Sequence, residues 1–154
     1  QGAYWQQVNH GLVPEGMVKT SRALSVTSVQ VDPFTTETVY AATLAGLYKT
    51  TDGAVSWVRI GESLQDQMIV SMVLDRARPG VMYVAARDGI HRSDDGGKSW
   101  VALNEGLATT NIRSLAQSAL DPQLFYAGTN GSGLYRSTDG GAHWEALPSV
   151  FPKE

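Results

Sequence analysis

Three carboxylates recur at a near-constant interval in similar surroundings. Asp52 lies in Thr50-Thr51-Asp52-Gly53-Ala54-Val55-Ser56-Trp57, and Asp95 in Ser93-Asp94-Asp95-Gly96-Gly97-Lys98-Ser99-Trp100. Asp139 lies in Ser137-Thr138-Asp139-Gly140-Gly141-Ala142-His143-Trp144. Such carboxylates could transfer protons or hold calcium, and the pair Asp94 and Asp95 invites the second reading. An EF-hand loop, however, needs further oxygen ligands and a late bidentate Glu, which none of the three segments supplies. Asp followed by Gly does supply a tight hairpin. Gly accepts positive φ, and the carboxylate can accept hydrogen bonds from N–H groups two or three residues on.

The other residues able to do chemistry are scattered. Glycoside hydrolysis needs two carboxyl groups about 5 to 10 Å apart, and Glu62 and Glu105 are the catalytic candidates, with Asp66 and Asp88 behind them. Both glutamates hold matching places, followed two residues later by Leu64 and Leu107, which favours a loop-shaping role. Arg22, Arg87 and Arg113 could pair with a carboxylate. His10, His91 and His143 show no spacing for zinc. His91 stands where Tyr48 and Tyr135 stand elsewhere and is expected to pack on a strand, whereas His143 is expected to be exposed in its turn. The repeated Tyr48, Tyr135, Trp57, Trp100 and Trp144 resemble a sugar-stacking set, but their strict positions favour packing. Cysteine is absent, which removes disulfides and thiolate chemistry. No metal and no cofactor is expected.

The elements that must position these residues repeat with them. From Asp52 to Asp95 is 43 residues and from Asp95 to Asp139 is 44, an interval typical of propellers and solenoids. Each unit reads as four strands. The first is Ser25 to Asp32, Ile69 to Asp75 or Arg113 to Asp121, apolar over strand length and closed by Asp with Pro behind it. The second is Thr38 to Ala42, Val81 to Ala86 or Leu124 to Gly128, rich in β-branched and aromatic residues. The third is Gly46 to Thr50, Gly89 to Ser93 or Gly133 to Ser137, and the turn then leads into a fourth beginning near each Trp. Trp5 to Leu12 matches Trp100 to Leu107, so the chain opens on a lone fourth strand and thirteen strands are expected. At 154 residues, 42% hydrophobic and net charge −3, with charges of both signs interleaved, the chain fits neither disorder nor a nucleic-acid surface. No apolar run reaches membrane-span length, and the first residues lack the pattern of a secretory signal.

The pattern Ser-x-Asp-x-Gly-x-x-Trp, preceded by Gly-Leu-Tyr-Arg, resembles the Asp-box, or bacterial neuraminidase repeat. That repeat occurs in sialidases, xyloglucan-active glycoside hydrolases, sortilin ectodomains and photosystem II stability and assembly factors. The first box departs from it, with Thr50 for Ser and Ala54 for Gly. The resemblance implies a fold role for Thr50, Asp52, Trp57, Ser93, Asp95, Gly97, Trp100, Ser137, Asp139, Gly141 and Trp144, on the face opposite any active centre. The sialidase Arg-Ile-Pro segment is missing. An extracytoplasmic location is what the resemblance suggests.

The expected architecture is an all-β, propeller-type array of three four-stranded blades, an incomplete propeller in one domain. Residues 1–12 are the lone strand, 13–60 the first blade with a loop insertion at Val13 to Arg22, 61–103 the second and 104–154 the third. Loops joining strand four to strand one, and strand two to strand three, should share the face opposite the boxes. Lys19, Arg22, Arg87, Asp88 and Asn130 are the binding candidates there, with an acidic or polar partner expected for Lys19, Arg22 and Arg87. The expected function is a non-catalytic scaffold that binds another protein or complex; the alternative is part of a carbohydrate-active enzyme or a glycan-binding propeller. Three blades leave two open flanks, to be covered by a longer propeller, a different protein or a homo-oligomer. Trp100, flanked by a blade on each side, is expected to be the costliest Trp to truncate.

Overall fold

The computed structural model of the chain describes residues 4, 6–12 and 25–148. Among these residues twelve strands form three antiparallel four-stranded sheets, each a simple meander. The first holds β1 (Val26–Val31), β2 (Val39–Thr43), β3 (Gly46–Thr50) and β4 (Val58–Ile60). The second holds β5 (Ser71–Leu74), β6 (Met82–Ala86), β7 (Gly89–Ser93) and β8 (Val101–Ala102). The third holds β9 (Ile112–Gln117), β10 (Phe125–Thr129), β11 (Leu134–Ser137) and β12 (Glu145–Ala146). The only helical element among the described residues is a 3₁₀ turn at Glu62–Leu64.

Successive side chains of a strand point to opposite faces, and in the middle sheet both faces are covered. Every residue of β6 is buried. Met82, Val84 and Ala86 pack with Tyr40, Ala42 and Leu47 of the first sheet. Tyr83 and Ala85, with Ile90 of β7, pack with Ile112, Leu115, Phe125 and Ala127 of the third. The Tyr83 and Phe125 rings lie 4.4 Å apart and tilted. The first strands lie side by side, β1 beside β5 and β5 beside β9. Two of them carry a bulge. Val26 faces Thr43 and Ser28 faces Ala42, which leaves Thr27 unpaired; Ile112 faces Thr129 and Ser114 faces Gly128, which leaves Arg113 unpaired.

The turn after each first strand corrects one alignment. Asp32 Oδ1 accepts the N–H groups of Phe34 and Thr35, and Asp75 Oδ1 those of Ala77 and Arg78. In the third sheet Ser118 does this, its Oγ accepting from Leu120 and Asp121, so Ser118 and not Asp121 is the repeat equivalent. Either oxygen closes the turn, and the residue type therefore varies. Asp75 does more than its counterparts. Its side chain is fully buried, takes two bonds from Arg78 at 3.0 and 2.6 Å, and takes one from Gln117 of β9 at 2.9 Å. Burial pushes the Asp75 carboxyl up, but hydrogen bonds from Arg78, Gln117 and the Ala77 N–H outweigh it and hold the group below its usual range.

Residues 6–9 form no strand, so among the described residues twelve strands stand where thirteen were expected of the chain. A strand needs a ladder partner, and no third strand lies beside this segment among the described residues. It nevertheless packs as a repeat unit. The Trp57 backbone N–H donates to His10 O and its indole to Val8 O, both at 2.9 Å. Trp144 does the same with Glu105 O at 2.9 Å and Leu103 O at 3.0 Å. Gly11 and Gly106, both at positive φ, let these segments press on the Trp carbonyl, where a Cβ would collide.

Trp100 breaks this pattern. The corresponding position is Ser63, inside the 3₁₀ turn, and the Trp100 indole bonds Gly97 O of its own turn at 3.1 Å. Its ring is only partly buried, while Trp57 is 8% and Trp144 3% exposed. The expectation that Trp100 is the costliest to lose is therefore corrected. Trp144→Ala and Trp57→Ala should each cost about 3 to 5 kcal/mol in denaturant melts, and Trp100→Ala clearly less. Equal losses at Trp100 and Trp144 would show that seam burial does not govern these positions.

Candidate functional site

Each recurring aspartate is consumed by its own turn. Ser93 Oγ donates to Asp95 Oδ1 at 2.8 Å and accepts the Gly97 N–H at 2.9 Å, while Asp95 accepts from the Lys98 and Ser99 N–H groups and from Ser99 Oγ. Ser137 and Asp139 repeat this with Gly141 and His143. Thr50 and Asp52 repeat it with Ala54 and Ser56. Hydrogen bonds led by those of Ser56 hold the Asp52 carboxyl down at about 2, and those led by the His143 N–H hold Asp139 at about 2. Asp95 is likewise depressed, chiefly by Ser99 Oγ. Groups this acidic are ionised at neutral pH and cannot donate a proton there.

A cleft lies at the other end of the sheets, between the second and third. It holds about 510 Å³ and is lined by Met68, Val70, Ala86, Arg87 and residues 109–113. Arg87 follows the last residue of β6, and Arg113 is the bulged residue of β9. Both are exposed, and among the described residues neither guanidinium has a carboxylate partner. Among the described residues no Asp or Glu lines the cleft. The β10–β11 hairpin is tied to its rim, since the Asn130 N–H donates to Asn111 O at 2.9 Å.

The remaining candidates are placed elsewhere. Asp88 lies beside the cleft but turns its carboxylate to His91 Nε2 at 2.8 Å, and Asn104 clamps the same hairpin through Asp88 O and the Ile90 N–H. His91 is buried. Glu62 begins the 3₁₀ turn and is exposed. Glu105 is exposed and sits 3.1 Å from His143 at the third box. Hydrogen bonding to Asp139, then the Glu105 charge, raises the His143 pKa above its usual value. Asp66 pairs with Arg59 at 3.0 Å. The expected grouping of all strand-four loops opposite the boxes is thus corrected: His10 and Glu105 are drawn beneath boxes by their bonds to Trp57 and Trp144. Lys19 and Arg22, with the whole Val13 to Arg22 insertion, lie outside the described residues. Thr109 to Asn111 belong to the loop between strand four and strand one that was expected on this face with recognition residues, and they line the cleft, though none of them was singled out by itself. The signal available was Arg113 itself, which stands where the other sheets have Thr27 and Val70.

No family model matches the chain, and no curated protein matches it significantly. Solved structures do. An ancestral GH74 enzyme superposes with a TM-score of 0.69 at 24% identity, over 82% of this chain and 19% of its own. The GH74 xyloglucanase from Xanthomonas campestris gives 0.66 at 18%, over 84% and 24%. YCF48 bound to a D1 peptide gives 0.62 at 22%, over 80% and 39%. The chain thus spans between about a fifth and two fifths of these propellers, and such identities show the fold alone. It is an all-β chain with the architecture of part of a β-propeller, its three sheets being blades.

Two predictions follow from the boxes. Ala54 sits at φ 72° where Gly97 and Gly141 sit at 89° and 90°. Ala54→Gly should stabilise the fold slightly, by about 0.5 kcal/mol in denaturant melts, whereas Gly97→Ala and Gly141→Ala should each cost roughly 1 kcal/mol or more. The Gly97 cost is reinforced because a Cβ would lie 2.7 Å from Ile60 Cδ1. The second prediction concerns acid. Carboxyls depressed in the folded chain stabilise it fully above their unfolded pKa, near 3.9, and lose that contribution as pH falls through the folded values near 2. The melting midpoint should therefore fall between about pH 4 and 2, and Asp→Asn changes at positions 52, 95 and 139 together should flatten that limb.

Proposed function

We propose that the chain is part of a non-catalytic β-propeller module that holds an acidic segment of another protein in the cleft between its second and third blades. The observation that supports this is the pairing of a 510 Å³ cleft with two exposed arginines, Arg87 and Arg113, and no lining carboxylate among the described residues. Guanidinium groups recognise carboxylates through paired N–H bonds, and Val70, Ala86 and Ile112 give the floor an apolar component. That YCF48 is solved with a peptide of D1 is consistent with peptide capture by a propeller of this shape.

A second reading, part of a glycan-active enzyme, draws on the likeness to GH74 enzymes. It would need two carboxylates facing one cleft. The two glutamates considered for that role do not line this one, and Glu105 is engaged with His143.

The test is titration of a fluorescent Glu-rich peptide, with a Gln-for-Glu peptide and a xyloglucan oligosaccharide as comparisons. The acidic peptide should bind and weaken with added salt. Arg113→Thr, which installs the residue the first blade carries at its own bulge, and Arg87→Ala should each reduce affinity about 10-fold with an unchanged melting midpoint. Binding of the oligosaccharide instead, indifferent to either change, would favour the second reading.

A further inference from the structure

The flank of the first blade is half covered, and the two halves differ in kind. On the inner half, Val26, Val29 and Val31 are 45%, 56% and 54% exposed. Their equivalents Ile69, Met72 and Leu74 in the second blade are 0%, 2% and 8% exposed, and Ile112 and Leu115 in the third are 2% and 7%. In those blades the same face is sealed by the blade before it. On the outer half, Leu12, Tyr48 and Trp57 form a buried cluster of their own.

What covers that outer half identifies what belongs on the inner one. Residues 8–12 bond Trp57 as residues 103–107 bond Trp144, down to the Leu12 N–H on Asn9 O and the Leu107 N–H on Asn104 O, both at 3.1 Å. Leu103 continues β8, its N–H donating to Ile90 O at 2.8 Å. Residues 6–12 thus stand where the fourth strand of a preceding blade would end. The sequence just before them agrees: Gly2-Ala3-Tyr4-Trp5 repeats the Gly-x-x-Trp of Gly97 to Trp100 and Gly141 to Trp144.

We infer that the exposed inner half of this flank is the seat of a further blade of the same repeat. That blade consists of its first three strands and the front half of its turn, joined covalently to Gly2, and takes residues 6–12 as its fourth strand. A second copy of the chain fits less well. Its third blade already has β12, extended by the Leu147 N–H on Leu134 O at 2.8 Å, and that strand would claim the place residues 6–12 hold. The apolar face such a blade must present is the one the first blade turns to the second, with Tyr40, Ala42 and Leu47 against Ile69, Met72 and Leu74.

The experiment fuses residues 25–53, which are β1 to β3 and the front half of the first box, directly before Gly2. The fused chain should be a monomer that melts above the 154-residue chain. Val29→Lys should have little effect in the unfused chain, where the side chain is more than half exposed, and should lower the midpoint of the fused chain by roughly 5 °C or more. Proteolysis that trims the fusion back to Gly2, together with an equal small effect of Val29→Lys in both chains, would overturn the inference. So would sedimentation showing a dimer of the unfused chain that Val29→Lys or Leu134→Lys dissolves, since a second copy would then occupy the flank.

Discussion

A four-stranded sheet with apolar side chains on both faces has no stable existence in water, and this chain has no α-helices among its described residues to lay over those faces. Burial comes only from stacking sheet on sheet. The first three strands of each sheet are four to six residues long, so each sends two or three side chains to either side, and β6 divides its five buried residues between two neighbours. The seams are the core. The cleft that carries Arg87 and Arg113 is a consequence of the same geometry, since it opens where two stacked sheets end in separate loops and no longer fill the space between them.

The seams are built to a common plan with local changes. A tryptophan crosses from its turn to the tail of the preceding fourth strand at Trp57 and Trp144, whereas Trp100 closes on its own turn because a 3₁₀ turn with Ser63 replaces the glycine that would admit the crossing. On the axial side the first seam is tied by the Thr27 hydroxyl on Ile69 O at 2.6 Å, and the second by the Leu115 N–H on Ser71 Oγ at 3.1 Å. A shared backbone arrangement therefore tolerates different side-chain solutions.

What could be read from the sequence was what is local within a sheet. Alternation placed most of the strands within a residue or two, although β9 ends four residues before the expected Asp121, and the Asp-Gly turns marked each passage from third to fourth strand. Relations between sheets were harder, because they join residues some forty positions apart through loops whose path the pattern does not encode. Trp100 was misjudged for that reason, although Ser63 in place of glycine was visible. Ser118 was passed over because a hydroxyl can do the work of a carboxylate in its turn. The cleft was legible only in part: Arg87 was named, Arg113 noted for its charge, and residues 109–111 expected on that face as part of a strand-four to strand-one loop, while their meeting in one cleft depends on the bulge and the Asn130 bond.

Asp75 bears on how such a chain avoids assembling wrongly. Near-identical units made in succession can dock in the wrong order or across molecules, which is a characteristic failure of repeat proteins. The position of β9 that meets Asp75 is Gln117, and the same position in the middle blade is Leu74. A middle blade stacked on another copy of itself would set Leu74 against a buried carboxylate and leave it short of a donor, at a cost of about 1 to 3 kcal/mol. The Asp75–Gln117 bond therefore makes the nascent chain's order of stacking unequal in energy, and gives concentrated, partly folded material one reason not to polymerise through its middle sheets.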